Sequence, residues 1–168
     1  CAATQYGNLI AKVKGRPIVA LRLFSPFGPY DDKSRLMTYA IINALQNKEL
    51  KLADPDSVRD YIYYKDVIDI YIKCIENIEK IKGEIFNVGR GAQTKISYVI
   101  KKILELSSSK SKVTWHSTPS RDFEAKMWEA DISKAFNFLD WKPKCSVEEG
   151  LKETIEWFRN NQKLYLEQ

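Results

Sequence analysis

The sequence is poor in the residues from which metal centres and nucleophilic triads are built. It has one histidine, His116, and three cysteines, Cys1, Cys74 and Cys145, far apart among its 168 residues. A zinc site needs three or four ligands delivered at short spacing, so no metal site is expected and His116 reads as a strand-end residue. A Ser-His-Asp triad has no support either, because no serine stands in a nucleophile-elbow sequence. No apolar run approaches the ~20 residues a membrane span requires, and the first residues lack the pattern of a secretory leader. Scattered, odd-numbered cysteines point to a reducing, cytoplasmic setting rather than a disulfide framework. Only one stretch imitates a phosphate-cradling glycine loop, Gly89-Arg90-Gly91-Ala92-Gln93-Thr94. It lacks a third glycine and an acidic residue about 20 positions on, which leaves it as a tight strand-to-helix connection.

What is present is the composition of an ordinary soluble globular protein. Hydrophobic content of 44% and charged content of 29% separate the chain from disordered and membrane classes. The net charge is +5, and the stretch from Lys80 to Lys112 is strongly basic, relieved only by Glu84 and Glu105. With no recognition motif beside it, this is the charge of solvated helix faces and loops rather than a nucleic-acid footprint. An overall basic protein also suits acidic small molecules such as nucleotides.

Periodicity places the elements. A helix runs over 1–14, and Pro17 to Leu23 is a nearly continuous apolar strand of the kind that is covered on both faces. A Pro/Gly/Asp loop follows over Phe24 to Lys33. Helices are expected at Leu36 to Leu45 with Ser34 as cap, Asp66 to Ile78 with Asp66 as cap, Ser97 to Leu106, Asp131 to Leu139, and Val147 to Asn160. The last has Ser146 and Glu149 at capping-box positions. Short strands are expected at Leu50 to Leu52, Glu84 to Val88 and Val113 to His116, with a loop over Ser117 to Trp128.

The stretch Val58-Arg59-Asp60-Tyr61-Ile62-Tyr63-Tyr64-Lys65-Asp66-Val67 organises the chain: a strand enters a buried region behind an Arg-Asp pair, and a helix follows at once. Tyr61 and Lys65 match the spacing of a Tyr-Lys acid/base pair, as do Tyr98 and Lys102. That chemistry needs both side chains on one helix face. Tyr61 is in a strand, and Tyr98 lies on a helix with an exposed basic face, so both spacings read as coincidences. Arg22, inside an apolar strand, should find a carboxylate. Arg59 and Arg121 either pair with Asp60 and Asp122 or act as guanidinium forks on a diphosphate; the pattern alone leaves both open.

These motifs resemble those of the extended short-chain dehydrogenase/reductases that act on nucleotide sugars, the epimerases and dehydratases. Leu21-Arg22-Leu23-Phe24-Ser25-Pro26-Phe27-Gly28-Pro29 is similar to their Arg-x-Phe-Asn-x-Tyr-Gly-Pro loop, and the stretch at 58–67 to their Arg-Asp-(Tyr/Phe)-(Val/Ile)-(His/Tyr) segment. Ile85-Phe86-Asn87-Val88-Gly89 resembles their (Tyr/Phe)-Asn-(Val/Ile)-Gly strand. Arg121, Trp128, Ala130-Asp131, Lys134, Leu139 and Trp141-Lys142-Pro143 follow their carboxy-terminal pattern. Order and spacing agree to about Asn160.

The resemblance implies an α/β fold: the carboxy-terminal portion of a Rossmann-type fold with a small mixed α/β substrate-binding domain. Residues 1–33 would be a remnant of the Rossmann domain and 34–168 the nucleotide-sugar-binding domain. The resemblance also implies that the chain begins just past the family's catalytic Tyr-x-x-x-Lys, with the amino-terminal NAD-binding half missing.

By the same resemblance, Arg59 and Arg121 would hold the diphosphate of a nucleoside-diphosphate sugar. Ser25 stands where the family has Asn as a phosphate and sugar contact, and Phe27 replaces a Tyr. Phe24 and Pro26 would border the nicotinamide of NAD or NADP. Arg35 and Leu36 would begin the helix along the nucleotide, Lys51, Leu52 and Ala53 would run beside the base, and Glu124 would meet the ribose.

NAD or NADP would belong to the intact enzyme, where it takes a hydride while a Tyr tuned by a Lys removes a proton. None is expected on this chain alone, which would bind substrate without catalysis. The alternative is a non-catalytic assembly module that pairs with a separate NAD-binding chain or a second copy of itself. Neither nucleic acid nor membrane is an expected partner.

Overall fold

The computed structural model describes residues 2–118 and 127–166. Helix α1 (Ala2–Lys14) stops at Gly15, whose φ of +63° is left-handed and suited to glycine. Strand β1 (Ala20–Leu23) is shorter than the apolar run around it, and β2 (Ser25–Phe27) occupies part of the expected loop. Helix α2 (Leu36–Leu45) has the bounds its periodicity requires, burying Met37, Ala40, Ile41 and Ala44. Its cap position is Arg35 rather than Ser34, whose hydroxyl donates to Asp32 at 2.5 Å.

Strand β3 (Leu50–Lys51) is followed by β4 (Val58–Arg59), β5 (Tyr61–Tyr63) and, without a break, helix α3 (Tyr64–Glu76). Next come α4 (Ile78–Ile81), β6 (Ile85–Val88), β7 (Thr94–Lys95) and α5 (Ile96–Ser107). The expected direct step from Gly89 into a helix is therefore interrupted by a strand, which pairs antiparallel with β4. The last elements are β8 (Val113–Thr114), α6 (Ser133–Leu139), α7 (Val147–Asn160) and the short α8 (Lys163–Leu166).

The chain forms two compact units that interleave in sequence. The first comprises Cys1–Pro26, Asp60–Ala92 and Glu129–Cys145; the second comprises Phe27–Arg59, Gln93–Trp128 and Ser146–Gln168. Parallel pairing of β1 with β6, in the register Ala20↔Ile85 to Leu23↔Val88, ties early residues to late ones.

In the first unit Ile62, Val67, Ile70, Cys74, Phe86, Val88, Leu139 and Trp141 form the core. Strand β1 is not covered on both faces: Ala20 and Leu21 are half-buried, Arg22 and Leu23 exposed. Arg22 therefore carries no burial penalty, and among the described residues no ion pair to it is found. Asp66 does not cap α3. It lies in the first turn, 4% exposed, and its carboxylate accepts from the Lys144 and Cys145 N–H groups at 2.9 and 3.1 Å.

In the second unit α2, α5 and α7 pack on one another, and β3 pairs parallel with β8. Helix α7 has the capping box its sequence announces: Ser146 Oγ accepts from the Glu149 N–H at 3.1 Å while the Glu149 carboxylate accepts from the Ser146 N–H at 2.8 Å. His116 sits in a turn after β8 with φ +54° and donates its N–H to Ala53 O at 2.7 Å.

Candidate functional site

Arg59 ends β4, opposite Thr94 of β7. Its Nη1 donates to Val58 O at 2.7 Å, and its guanidinium carbon lies 5.5 Å from the ring centroid of Trp128. A guanidinium lying over an aromatic face is attracted by the ring quadrupole and fixed in orientation. Trp128 enters the sequence pattern only as a landmark. Its role as a platform leaves no sharper mark there than a large aromatic in an otherwise polar loop.

Asp60, next in sequence, has a different fate. Its side chain is fully buried, and its carboxylate accepts three main-chain N–H groups: Arg90 at 2.6 Å, Gly91 at 3.0 Å and Ala130 at 2.9 Å. A buried carboxylate is tolerated when its lone pairs are met in this way. Gly89 makes room for it, because a Cβ there would fall 2.6 Å from both Asp60 Oδ2 and the Ala130 Cβ.

The turn that imitates a dinucleotide loop is thus filled by the protein's own carboxylate. The residues present there do not fit a dinucleotide's diphosphate.

Arg35 and Leu36 open α2, and Arg35 Nε lies 3.3 Å from an Asp31 carboxylate oxygen. Burial raises the Asp31 carboxyl above its ordinary value, and Arg35 works against that rise. Leu52 is buried with its N–H on Thr114 O at 2.9 Å and its carbonyl accepting from Ser117; Lys51 is exposed and its N–H meets the Tyr39 hydroxyl at 3.2 Å. Ala53 is half-buried. The second unit therefore holds Arg35, Leu36, Lys51, Leu52, Ala53 and Arg59 together as one folded body. Arg121 and Glu124 lie outside the described residues.

In the first unit Phe24, Ser25 and Pro26 are half-buried. Phe24 donates its N–H to Val88 O at 3.0 Å and Ser25 donates to Asp60 O at 3.1 Å. These bonds carry the chain from the β1–β6 pair to the β2–β5 pair.

Of the two Tyr-Lys spacings, Tyr61 is buried in β5 while Lys65 lies on α3, its Nζ 5.8 Å from the Tyr63 ring. Tyr98 and Lys102 do share a helix face, with Lys102 Nζ 5.7 Å from the Tyr98 ring. Both converge on Glu148 of α7: the Tyr98 hydroxyl donates to its carboxylate and Lys102 pairs with it at 3.2 Å. The pair ties two helices together. The basic stretch is similarly engaged, Lys82 with Glu79, Lys95 with Asp56, and Lys101 with Glu105.

Among the described residues no group of His, Cys, Asp and Glu could hold a metal ion. No helix there is long and apolar enough to cross a membrane.

Comparison with known proteins adds a family. A sequence model described as GDP-mannose 4,6 dehydratase matches residues 2–154. The UDP-glucuronate 4-epimerase of Thermodesulfobacterium geofontis is 31% identical over 149 residues, covering 88% of this chain and 45% of that protein. Among solved structures, UDP-glucose 4-epimerase from Thermotoga maritima with UDP-glucose superposes with a TM-score of 0.85 at 28% identity, over 96% of this chain and 52% of that one. UDP-glucuronic acid 4-epimerase from Bacillus cereus, in complex with UDP-glucuronic acid and NAD, gives 0.82 at 28%, over 94% and 50%. The chain spans less than half the length of the curated relatives it matches.

Proposed function

The chain belongs to the family described as GDP-mannose 4,6 dehydratase, and from that premise we propose that it is the part of a nucleotide-sugar epimerase or dehydratase that grips the nucleoside diphosphate. Its fold is α/β of the extended short-chain dehydrogenase/reductase kind, and solved neighbours hold UDP-sugars and NAD. The observation that carries the reading is Arg59, aligned over Trp128 while the adjacent acid, Asp60, is engaged by main-chain N–H groups. In this reading the Arg59 guanidinium meets the diphosphate, with Arg121 assigned the same role by the motif resemblance alone. The motif resemblance assigns Arg35, Leu36, Lys51, Leu52 and Ala53 of the second unit, and Glu124, to the nucleoside; it assigns Ser25, of the first unit, to the phosphate and sugar.

Phe24 and Pro26 offer apolar contact to a nicotinamide held by other parts of an intact enzyme. The chain by itself binds substrate without turning it over: Tyr98 and Lys102 are tied to Glu148, and Tyr61 and Lys65 lie on different elements. The test is calorimetric titration of UDP, dTDP, CDP and GDP into the wild-type chain and Arg59→Ala. A loss of ~1.5–3 kcal/mol for at least one of the four is expected, the worth of a charged hydrogen bond. Equal affinity in a folded variant overturns the reading.

A second reading, an assembly module, is favoured by one feature of the first unit. Pro17, Val19, Leu21, Tyr71, Cys74, Ile75 and Ile78 line an open apolar groove of about 360 Å³. Exposed Ile68 and Ile72 lie on α3 and exposed Tyr6, Leu9 and Val13 on α1. An apolar groove with exposed apolar side chains on the same unit is the kind of surface that a protein contact covers. Sedimentation of the chain alone, expected to show concentration-dependent association, checks it; a monomer throughout removes it.

A further inference from the structure

The family match ends at residue 154, yet the chain beyond it, in the second unit, is built onto the turn that leads into α2. Trp157 and Phe158, at the end of α7, join Tyr165 of α8 and Tyr30 in an aromatic cluster. The Tyr30 and Trp157 centroids are 4.7 Å apart, and those of Phe158 and Tyr165 4.9 Å. Tyr30 is 77% exposed and holds a left-handed backbone with φ +62°. That conformation is unfavourable for a residue with a Cβ, and it brings the Tyr30 ring against Trp157. The Tyr165 hydroxyl donates to the carbonyl of the next residue, Asp31, at 3.1 Å.

Asp31 in turn faces Arg35. Its side chain is 18% exposed, and its carboxylate lies 3.3 Å from Arg35 Nε, while the Arg35 side chain keeps 47% of its surface in solvent. The turn between them is closed by its own hydrogen bonds. Asp32 Oδ1 accepts the Ser34 N–H at 2.7 Å, and Asp32 O accepts the Arg35 N–H at 3.0 Å. A purely apolar plug would account for Trp157 and Phe158. It would not account for a tyrosine hydroxyl on one particular carbonyl, or for an exposed Tyr30 kept in a strained conformation beside it.

We propose that α8 is a clasp: Tyr165 and the Tyr30–Trp157 contact hold the turn that places the Asp31 carboxylate against Arg35, so that Arg35 meets the nucleotide with its orientation already fixed. Tyr165 and Asp31 are positioning residues, and the part of the proposal that concerns the nucleotide rests on the function proposed above. Fixing a long side chain before binding removes the rotamer entropy that binding would otherwise have to overcome.

The test uses the full chain and three variants, Tyr165→Phe, Asp31→Asn and Arg35→Ala. The first readout is hydrogen exchange of the Arg35 Nε–H by NMR, which a merely structural role for α8 would not move. Exchange is expected to rise about three- to tenfold in Tyr165→Phe, as for the loss of one net hydrogen bond, and further in Asp31→Asn. Unchanged exchange in both overturns the clasp, whatever happens to binding.

The second readout is UDP affinity. Tyr165→Phe is expected to weaken it about two- to fivefold, and to add nothing in the Arg35→Ala background. An equal loss in that background shows that Tyr165 acts elsewhere and overturns the proposal. If Arg35→Ala leaves UDP binding unchanged while exchange responds as expected, the clasp stands and the nucleotide role of Arg35 falls.

Discussion

The two units draw on the same short strands and amphipathic helices, but they finish their surfaces differently. The second closes on itself. Its three long helices bury one stripe each, α7 begins on a capping box, and α5 is tied to α7 by Tyr98, Lys102 and Glu148. The first is held internally by carboxylates that gather main-chain N–H groups, Asp60 and Asp66, and leaves apolar side chains of α1 and of the outer side of α3 exposed. Both units bury an apolar core, and they differ in where buried carboxylates and exposed apolar side chains gather.

The sharpest way to break this contrast is Asp60→Ala. It leaves three N–H groups without their acceptor, one buried and two part-buried, and urea unfolding should show a loss of ~2–4 kcal/mol. Less than ~1 kcal/mol would mean the cradle does not hold the first unit. Gly89→Ala should follow at ~1–3 kcal/mol, the range for overpacking, because the new methyl meets Asp60 and Ala130.

In the second unit, Ser146→Ala should lower the thermal midpoint by an amount equivalent to ~1 kcal/mol, the usual worth of such a cap. Ile75→Lys, on the exposed side of α3 at 70% exposure, should change stability by no more than ~0.5 kcal/mol. The same variant should reduce association in sedimentation. A stability loss with unchanged association would invert the comparison.

The smallest effect is on pH. The Tyr98 hydroxyl, then Lys102, holds the Glu148 carboxyl below the usual glutamate value of 4.5. A lowered folded value stabilises above 4.5 and loses that stabilisation as pH falls through it. Acid titration of stability should therefore be slightly flatter in Glu148→Gln.

Helices are legible in the sequence where apolar spacing and caps agree. The expected bounds of α2 and α7 match to the residue, since Met37, Ala40, Ile41 and Ala44 on one, and Ser146 with Glu149 on the other, leave little choice. Strands come out shorter than their apolar runs, because the run from Pro17 extends beyond the four residues that pair with β6. Asp66 departs from its expected role as a cap, and Asp60, whose pairing with Arg59 the pattern left open, is engaged elsewhere for the same reason. Local pattern assigns each a nearby role, as partner for the adjacent arginine or as a cap. Their real partners are N–H groups of distant residues, and a backbone N–H leaves no mark in sequence. Arg59 stands out by its neighbours in the chain, but its ring platform is located only by the fold.

The Asp60 cradle also sets an order of assembly. It joins residue 60 to residues 90 and 91 and then to residue 130, separations of 30, 31 and 70 positions. Contacts of such span form late, since a long loop must close before they contribute. On a ribosome the first unit cannot be completed until Ala130 has emerged, and Asp66 must wait longer still, for Lys144 and Cys145. Until then its strands and the apolar face of α3 lack the contacts that cover them in the finished fold.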